Sequence, residues 1–306
     1  MAERRGAASG ARSSETADPQ TAQDGALDGV RHVMFVHAHP DDETLASGAL
    51  MAELVDRGLI VTLVTCTRGE RGEIVAGPHS HLEGAPEFAE HREHELAGAL
   101  AELGVTRHLW LGTAPARAVG LTPRAYEDSG MRWLRDGLAG PADDASPLSL
   151  TAAPLDDAVA DLLAVIDVES ASGATAADQP SPPSEKPDLI VSYNEIGGYG
   201  HPDHVRAREI ARAAAGARSI RFAEIVDAVP LGHTAPDAGE QNAVYHRAGE
   251  RDAVAFTWFE LDDRLDQVKR ALAHHASQVT VDGDDVVHSG GQRTPIQTSV
   301  GLRVVP

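Results

Sequence analysis

Two short segments of the 306-residue chain gather side chains that hold metals and move protons. They are His37-Ala38-His39-Pro40-Asp41-Asp42-Glu43 and Gly197-Gly198-Tyr199-Gly200-His201-Pro202-Asp203-His204. Each sets imidazoles and carboxylates around a proline that stiffens a tight turn. A mononuclear hydrolytic metal site needs about three such ligands and an open position for water. His39 and Asp42, three apart in a turn, are spaced to converge on one ion, and His204 is able to approach from a neighbouring loop. The plainer reading of either cluster is a His-Pro-Asp turn in which Asp42 or Asp203 merely caps a helix. Two such clusters, each directly after a strand-like run, weigh against it. A His₂Asp set suits zinc and ferrous iron alike.

The elements that must position these clusters are legible in the hydrophobic pattern. Val33-Met34-Phe35-Val36 is a short, continuously apolar run of buried-strand type, and Leu45, Ala49 and Ala52 follow at helical spacing up to Gly58. Leu59-Ile60-Val61-Thr62-Leu63-Val64 is a second strand. A helix carrying Leu96, Leu100 and Leu103 closes at Gly104, and His108-Leu109-Trp110-Leu111 is a third strand. Residues 112–150 read as loop with some helix. The stripe Leu155, Val159, Leu162, Leu163 and Ile166 predicts a helix over 154–168. Leu189-Ile190-Val191-Ser192 is a fourth strand, followed by a helix over 203–215 and a strand over 221–226. Residues 254–261 read as a strand, 262–275 as a helix and the last residues as extended chain. Alternating strands and helices, with strands apolar on both faces, imply a mainly parallel sheet covered on both sides. Ligands of such sheets sit at the carboxyl ends of the strands, where both clusters fall.

Composition limits the partners. Lys+Arg total 26 against 47 Asp+Glu, a net charge of -21 that repels phosphate backbones and anionic lipid surfaces. Nucleic acid and membrane are therefore excluded as expected partners. No apolar run approaches the ~20 residues of a membrane span, and the N-terminus lacks a charged-then-apolar leader pattern, so a cytoplasmic protein is expected. A single cysteine rules out a disulfide framework and a cysteine-rich zinc site. Residues 1–29 read as a disordered tail and 169–186 as a mobile Ser/Ala/Pro-rich insertion. The pattern says nothing of oligomeric state.

His39-Pro40-Asp41-Asp42-Glu43 together with His201-Pro202-Asp203-His204 resembles the LmbE/PIG-L family of zinc-dependent N-deacetylases. The Gly197–His204 segment and Asp128-Ser129-Gly130-Met131 are most similar to the mycothiol-pathway branch. So are Gly69-Glu70-Arg71-Gly72-Glu73, Arg92 and Ala273-His274-His275-Ala276-Ser277-Gln278. The resemblance implies an α/β, Rossmann-like catalytic core over 30–217 and a smaller C-terminal α/β lobe over 218–306 that completes the pocket. It further implies one Zn²⁺ (Fe²⁺ being the alternative) on His39, Asp42 and His204, and Asp41 as general base on the metal-bound water. His201 would be the charged partner of the oxyanion and leaving amine, with Asp203 to orient and charge it, and Tyr199 would lend a hydroxyl. Arg92, Asp128, Met131 and Glu73 would contact the sugar and inositol hydroxyls of a small-molecule substrate. The implied reaction is hydrolysis of the acetamide of N-acetyl-glucosaminyl-inositol to amine and acetate. The alternatives are another LmbE-like sugar N-deacetylase and the branch that cleaves mycothiol S-conjugates, though that branch carries a lysine soon after the first motif where this chain has Leu45-Ala46-Ser47-Gly48. Ala46, where close relatives have serine, removes one hydrogen bond expected toward substrate.

Competing classes fare worse. A nucleotide-binding protein of this architecture would show Gly-x-Gly-x-x-Gly after the first strand, where this chain has His-Ala-His-Pro-Asp-Asp. A sugar-binding module without turnover would be expected to lack a ligand or the base, and every one is present. Cys66 reads as a buried small hydrophobe. His79, His81, His91 and His94 read as solvated, and His274 and His275 as fold or rim residues. Trp110, Trp133 and Trp258 are too scattered to stack nucleic-acid bases.

Overall fold

A computed structural model describes residues 25–135, 137–171, 186–227 and 256–306. Most of the expected tail and most of the expected insertion lie outside the described residues, as do the first two residues of the strand read at 254–261. Strand β1 (His32–His37) leads into α1 (Asp42–Asp56), followed by β2 (Ile60–Thr65), α2 (Phe88–Leu103) and β3 (Arg107–Trp110). A hairpin of β4 (Met131–Arg135) and β5 (Leu138–Pro141) precedes α3 (Leu155–Ala171), β6 (Leu189–Ser192) and the single turn α4 (Gly197–Gly200). Then come α5 (Pro202–Arg218), β7 (Arg221–Asp227), β8 (Phe256–Glu260), α6 (Leu265–Leu272), β9 (Val279–Asp282), β10 (Asp285–His288), β11 (Arg293–Pro295) and β12 (Ser299–Val305).

Seven strands form the main sheet in the order β3-β2-β1-β6-β7-β12-β8. The first five run parallel, and β12 pairs antiparallel with both β7 and β8. Strand direction alternates side chains between faces, so β1 serves two cores at once. Val33 and Phe35 pack with α1, α2 and α6 residues such as Leu50, Leu96 and Leu272. Met34 and Val36 pack on the other side with Leu162, Ile166 and Ile210 of α3 and α5. This double burial is why the strand reads as a continuous apolar run. Gly58 (φ 80°) and Gly104 (φ 75°) end α1 and α2 in the left-handed region where glycine is the easy choice.

The segment 218–306 does not stand apart from the sheet. It supplies β7, β8 and β12 to it, packs α6 against α1 and α2, and adds the small sheet β11-β10-β9. Residues 112–150, expected to hold some helix, contain the β4–β5 hairpin instead, with no helix among the described residues. Its alternation is masked by Trp133 and Leu134, which are both half exposed (50% and 54%). Helix α6 begins at Leu265 after a 3-10 turn over Asp262–Arg264, later than the sequence pattern suggests. No described helix is long and apolar enough to cross a membrane.

Strand order reverses between β1 and β6, whose next neighbours are β2 and β7. Loops leaving the carboxyl ends of two such strands part to opposite sides and open a crevice between them. The two polar clusters are those loops.

Candidate metal centre

The first loop is tightly constrained. Asp41, at the head of α1, has φ 109° and ψ -34°, a conformation that side chains rarely adopt. Its amide donates to Glu43 Oε2 at 3.0 Å, and its Oδ2 accepts from Arg92 Nη2 at 2.9 Å. Arg92 is only 2% exposed and also donates to the carbonyls of Pro40 and, at 2.6 Å, Gly69. The His39 amide donates to Asp42 Oδ2 at 2.9 Å, so Asp42 braces the turn before α1 and caps no amide of the helix.

The second loop folds back on α5. A Cβ at Gly197 (φ 67°) would come within 2.8 Å of His204 Cβ and 2.9 Å of the Val205 nitrogen, so only glycine permits the approach. His201, not Asp203, caps α5, its Nδ1 accepting from the Asp203 amide at 3.1 Å. Asp203 is fully buried and turns to the other loop, accepting from the Ser129 amide (2.8 Å) and hydroxyl (2.5 Å). Neither carboxylate caps its helix through its side chain, which removes the plain reading of both motifs.

His39, Asp42 and His204 come together where the loops meet. Asp42 Oδ2 lies 3.2 Å from His39 Nδ1, and Oδ1 lies 3.3 Å from His204 Nε2. His201 stands with them, and one ring nitrogen each of His39, His201 and His204 lie within 4.8 Å of one another. The hydrogen bonds assign the tautomers. His204 Nδ1 lies 3.1 Å from the Gly197 carbonyl and donates to it, which turns the buried Nε2 toward Asp42. His39 Nε2 lies 3.2 Å from Asp203 Oδ2, so its proton sits there and Nδ1 faces Asp42. Two imidazole nitrogens that approach one buried carboxylate call for positive charge at that spot, from a proton or from a cation. The residues present therefore fit a divalent cation, with Asp203 as the carboxylate that orients a ligating histidine from behind.

Electrostatics agree with this. Burial opposes charge on Asp42, yet His204 and His39 hold its carboxyl well below the usual carboxylate range. Burial likewise opposes a second proton on His39, but Asp128, Asp203 and Asp42 push its pKa well above the usual value, a demand for positive charge at this spot. Burial pushes Asp41 up to about 6, with Arg92 opposing and Asp42 adding. Burial, reinforced by His39 and His204, drops His201 to about 2.

His201 uses Nδ1 as the acceptor at the helix cap, and the Asp203 carboxylate is engaged by His39 and Ser129. Tyr199 lies at the rim, 39% exposed, with its ring centroid 5.2 Å from that of His204 and 5.7 Å from that of Trp133.

The four residues expected to touch substrate separate into two pairs. Arg92 is buried against Asp41, and Asp128, 4% exposed, sits with its Oδ1 3.7 Å from His39 Nε2 while accepting from the Gly130 amide at 2.7 Å. Both border the metal cluster. Met131 is half-buried at the start of β4, and the exposed Glu73 accepts from Ser289 Oγ at 3.0 Å; neither has a described contact with the cluster. Cys66 is buried as expected.

Three participants escaped the sequence reading. Tyr193, directly after β6, accepts from the Ala38 amide and donates to Asp42 Oδ2, both at 2.7 Å, and stacks on His204 with centroids 4.2 Å apart. Its position just past a strand end was the available signal. Ser129 braces Asp203, and His275 pairs with Glu43 at 2.9 Å. Contacts spanning 74 and 232 positions leave no local trace in sequence.

A buried His/Asp cluster at the switch point of a mainly parallel sheet, with a further carboxylate beside it, defines the class: a hydrolase with a candidate metal-binding catalytic site. The PIG-L family profile, described as GlcNAc-PI de-N-acetylase, matches residues 34–215, more than half the chain. The chain belongs to this family, the LmbE/PIG-L deacetylases. A 1D-myo-inositol 2-acetamido-2-deoxy-alpha-D-glucopyranoside deacetylase from Nocardioides sp. is 41% identical over 192 residues, which cover 62% of this chain and 55% of that relative. The protein of the same description from Kineococcus radiotolerans is 34% identical over 91% of this chain and 78% of its own length. A crystal structure of a deacetylase from teicoplanin biosynthesis in complex with teicoplanin superposes with a TM-score of 0.50 at 17% identity, covering 90% of this chain and 98% of that one. At that identity the likeness is one of fold.

Proposed function

We propose that the chain hydrolyses the N-acetyl amide of N-acetyl-glucosaminyl-inositol, releasing acetate and the free amine, in the cytoplasm and as a step of mycothiol synthesis. The observation that carries the chemistry is the approach of His39 Nδ1 and His204 Nε2 to one Asp42 carboxylate at 3.2 and 3.3 Å. The substrate is suggested by the Kineococcus relative, aligned along most of both chains.

His39, Asp42 and His204 would hold zinc or ferrous iron. When bound there, the cation supplies Lewis acidity, lowering the pKa of water toward ~7 and polarising the amide carbonyl. Asp41 accepts the proton of the attacking water; burial already favours its protonated form more than an exposed carboxylate's, as a base that must take and release a proton requires. His201 donates an Nε2–H hydrogen bond toward the developing oxyanion, and the proton that Asp41 takes from water passes on to the leaving amine. Tyr199 offers a hydroxyl from the rim as a second donor. Arg92 and Asp128 flank these groups, and Met131 and Glu73 are assigned the outer substrate contacts. The core over 30–217 would carry the chemistry, with 218–306 completing the pocket. Part of the support for that division is His275, which reaches the first loop from beyond α6.

Elemental analysis of the purified chain, with amine release measured on N-acetyl-glucosaminyl-inositol and on a mycothiol S-conjugate, tests the proposal. Preferential release from the former is expected. Inertness toward both with metal bound would overturn the assigned substrate, and a chain that takes up no metal would overturn the mechanism.

A further inference from the structure

Glu43 belongs to the first motif, yet none of the roles above uses it. Its side chain and that of His275 are both completely buried, with Oε1 2.9 Å from His275 Nε2. Thr44 Oγ1 donates to the same oxygen at 2.5 Å. The second oxygen, Oε2, accepts from the amide of Asp41 at 3.0 Å. Asp41 and Ser219 are the two described non-glycine residues with positive φ, and Asp41 is the one in the site. One buried carboxylate thus joins the chain beyond α6 to the backbone of the most strained residue in the crevice.

Helix capping and packing explain only part of the arrangement. A side chain that reaches back to the N-cap amide is the return half of a capping box, but Asp41 makes no side-chain cap in exchange, and Glu43 turns its other oxygen to Thr44 and His275. A buried charged pair is a poor way to gain stability, since apolar residues of equal volume serve as well or better. Strained backbone persists where the surroundings over-determine it, and Asp41 is held from both ends: its amide by Glu43, its carboxylate by Arg92.

We propose that Glu43 and His275 are positioning residues, acting through the Asp41 amide to hold the Asp41 carboxylate in its working place. This rests on reading Asp41 as the general base. His275 donates from Nε2 to Glu43, Glu43 turns its other oxygen to the Asp41 N–H, and the left-handed turn at Asp41 is thereby kept. The described side-chain hydrogen bonds of both residues run to Asp41, Thr44 and each other, and none runs to the donor atoms of His39, Asp42 or His204.

The test uses the full chain loaded with zinc, comparing wild type, His275→Ala, His275→Gln, Asp41→Asn and the double variant His275→Ala/Asp41→Asn. Four quantities are read: zinc affinity by chelator competition, kcat and KM for amine release, and deuterium exchange of the Asp41 amide. His275→Ala is expected to speed that exchange about tenfold or more as the local bond opens. It is also expected to lower kcat about 10–100-fold, with KM and zinc affinity within about threefold, because misplacing a catalytic group by an ångström costs on that order. His275→Gln, which restores an N–H donor to Glu43, should recover most of kcat; if His275→Ala does not fold, this variant and Glu43→Gln carry the test through exchange and kcat. In the Asp41→Asn background, removal of His275 should cost nothing further. Losses that multiply in the double variant, an unchanged exchange rate, or a fall in zinc affinity as large as that in kcat would each overturn the proposal. Equal rates for wild type and Asp41→Asn would instead overturn the reading of Asp41 as base, whereas a normal kcat in His275→Ala beside a crippled Asp41→Asn overturns the positioning role alone.

Discussion

The carboxylate of Asp203 lies 3.2 Å from Nε2 of His39, across the gap between two loops that are 164 positions apart in sequence. This pairing decides which nitrogen of His39 carries the proton and so which one is left to face Asp42. Orienting carboxylates of this kind commonly contribute about 10–100-fold in metal affinity. Asp203→Ala is expected to weaken zinc binding by that order, measured by chelator competition, with Ser129 losing its partner as well. Unchanged affinity would mean that His39 needs no such support.

His204→Ala removes the imidazole whose Nε2 lies 3.3 Å from Asp42 Oδ1. Zinc content after dialysis should fall well below one per chain while the far-ultraviolet circular dichroism stays that of the wild type. Full retention of zinc would exclude His204 from the ligand set.

Asp41→Ala should behave in the opposite way, keeping zinc and fold while amine release drops about 10²–10⁴-fold, the usual contribution of a general base. Comparable activity in this variant would leave the water without its assigned proton acceptor.

The pH dependence of stability has a separate contributor remote from the first motif in sequence. His108 on β3 bonds Thr65 Oγ1 at 3.0 Å, and burial, with Glu43 opposing, lowers its pKa from 6.5 to about 4. Between those values the unfolded chain binds a proton that the native chain refuses, so this contribution to stability is complete above pH 6.5 and is lost as pH falls toward 4. Urea titrations of wild type and His108→Gln at several pH values should show the wild type losing about 1–3 kcal/mol more than the variant on acidification. Parallel curves would contradict the buried, neutral assignment.

Asp161 on α3 tests the fold without touching the site. Fully buried, it accepts from Arg117 Nη1 (2.8 Å), the Ala118 amide (2.8 Å) and the Tyr126 hydroxyl (2.7 Å). Asp161→Ala leaves the Arg117 cation without its partner and should cost about 3–5 kcal/mol in denaturant unfolding, with zinc affinity unaffected. A loss under about 1 kcal/mol would show that the segment over 116–126 docks by other means.

What was legible in the sequence followed from local regularities. The strand Val33-Met34-Phe35-Val36 is readable because both its faces are buried, and α2 because Leu96, Leu100 and Leu103 share a face and Gly104 ends it. The candidate ligands were readable because proline-stiffened turns follow two such strands. The β4–β5 hairpin was not, since Trp133 and Leu134 break the alternation on its exposed side. Nor were the partners of Asp203, Asp42 and Glu43, since Ser129, Tyr193 and His275 reach them only through the folded sheet. The engagement of the Asp203 carboxylate by His39 and Ser129 was hidden for the same reason.

The ladder between β1 and β6 registers Val33 with Leu189, Met34 with Ile190 and Phe35 with Val191. Each step along a strand is about 3.3 Å, close to the whole separation between Asp42 and His204. A slip of a single rung would therefore carry one jaw of the metal grip past the other and turn the Ile190 side chain toward the opposite core. The backbone pairing of two short apolar strands is thus the ruler that sets the bite of the site, and substitutions that loosen it would be felt in metal retention before they were felt in overall melting.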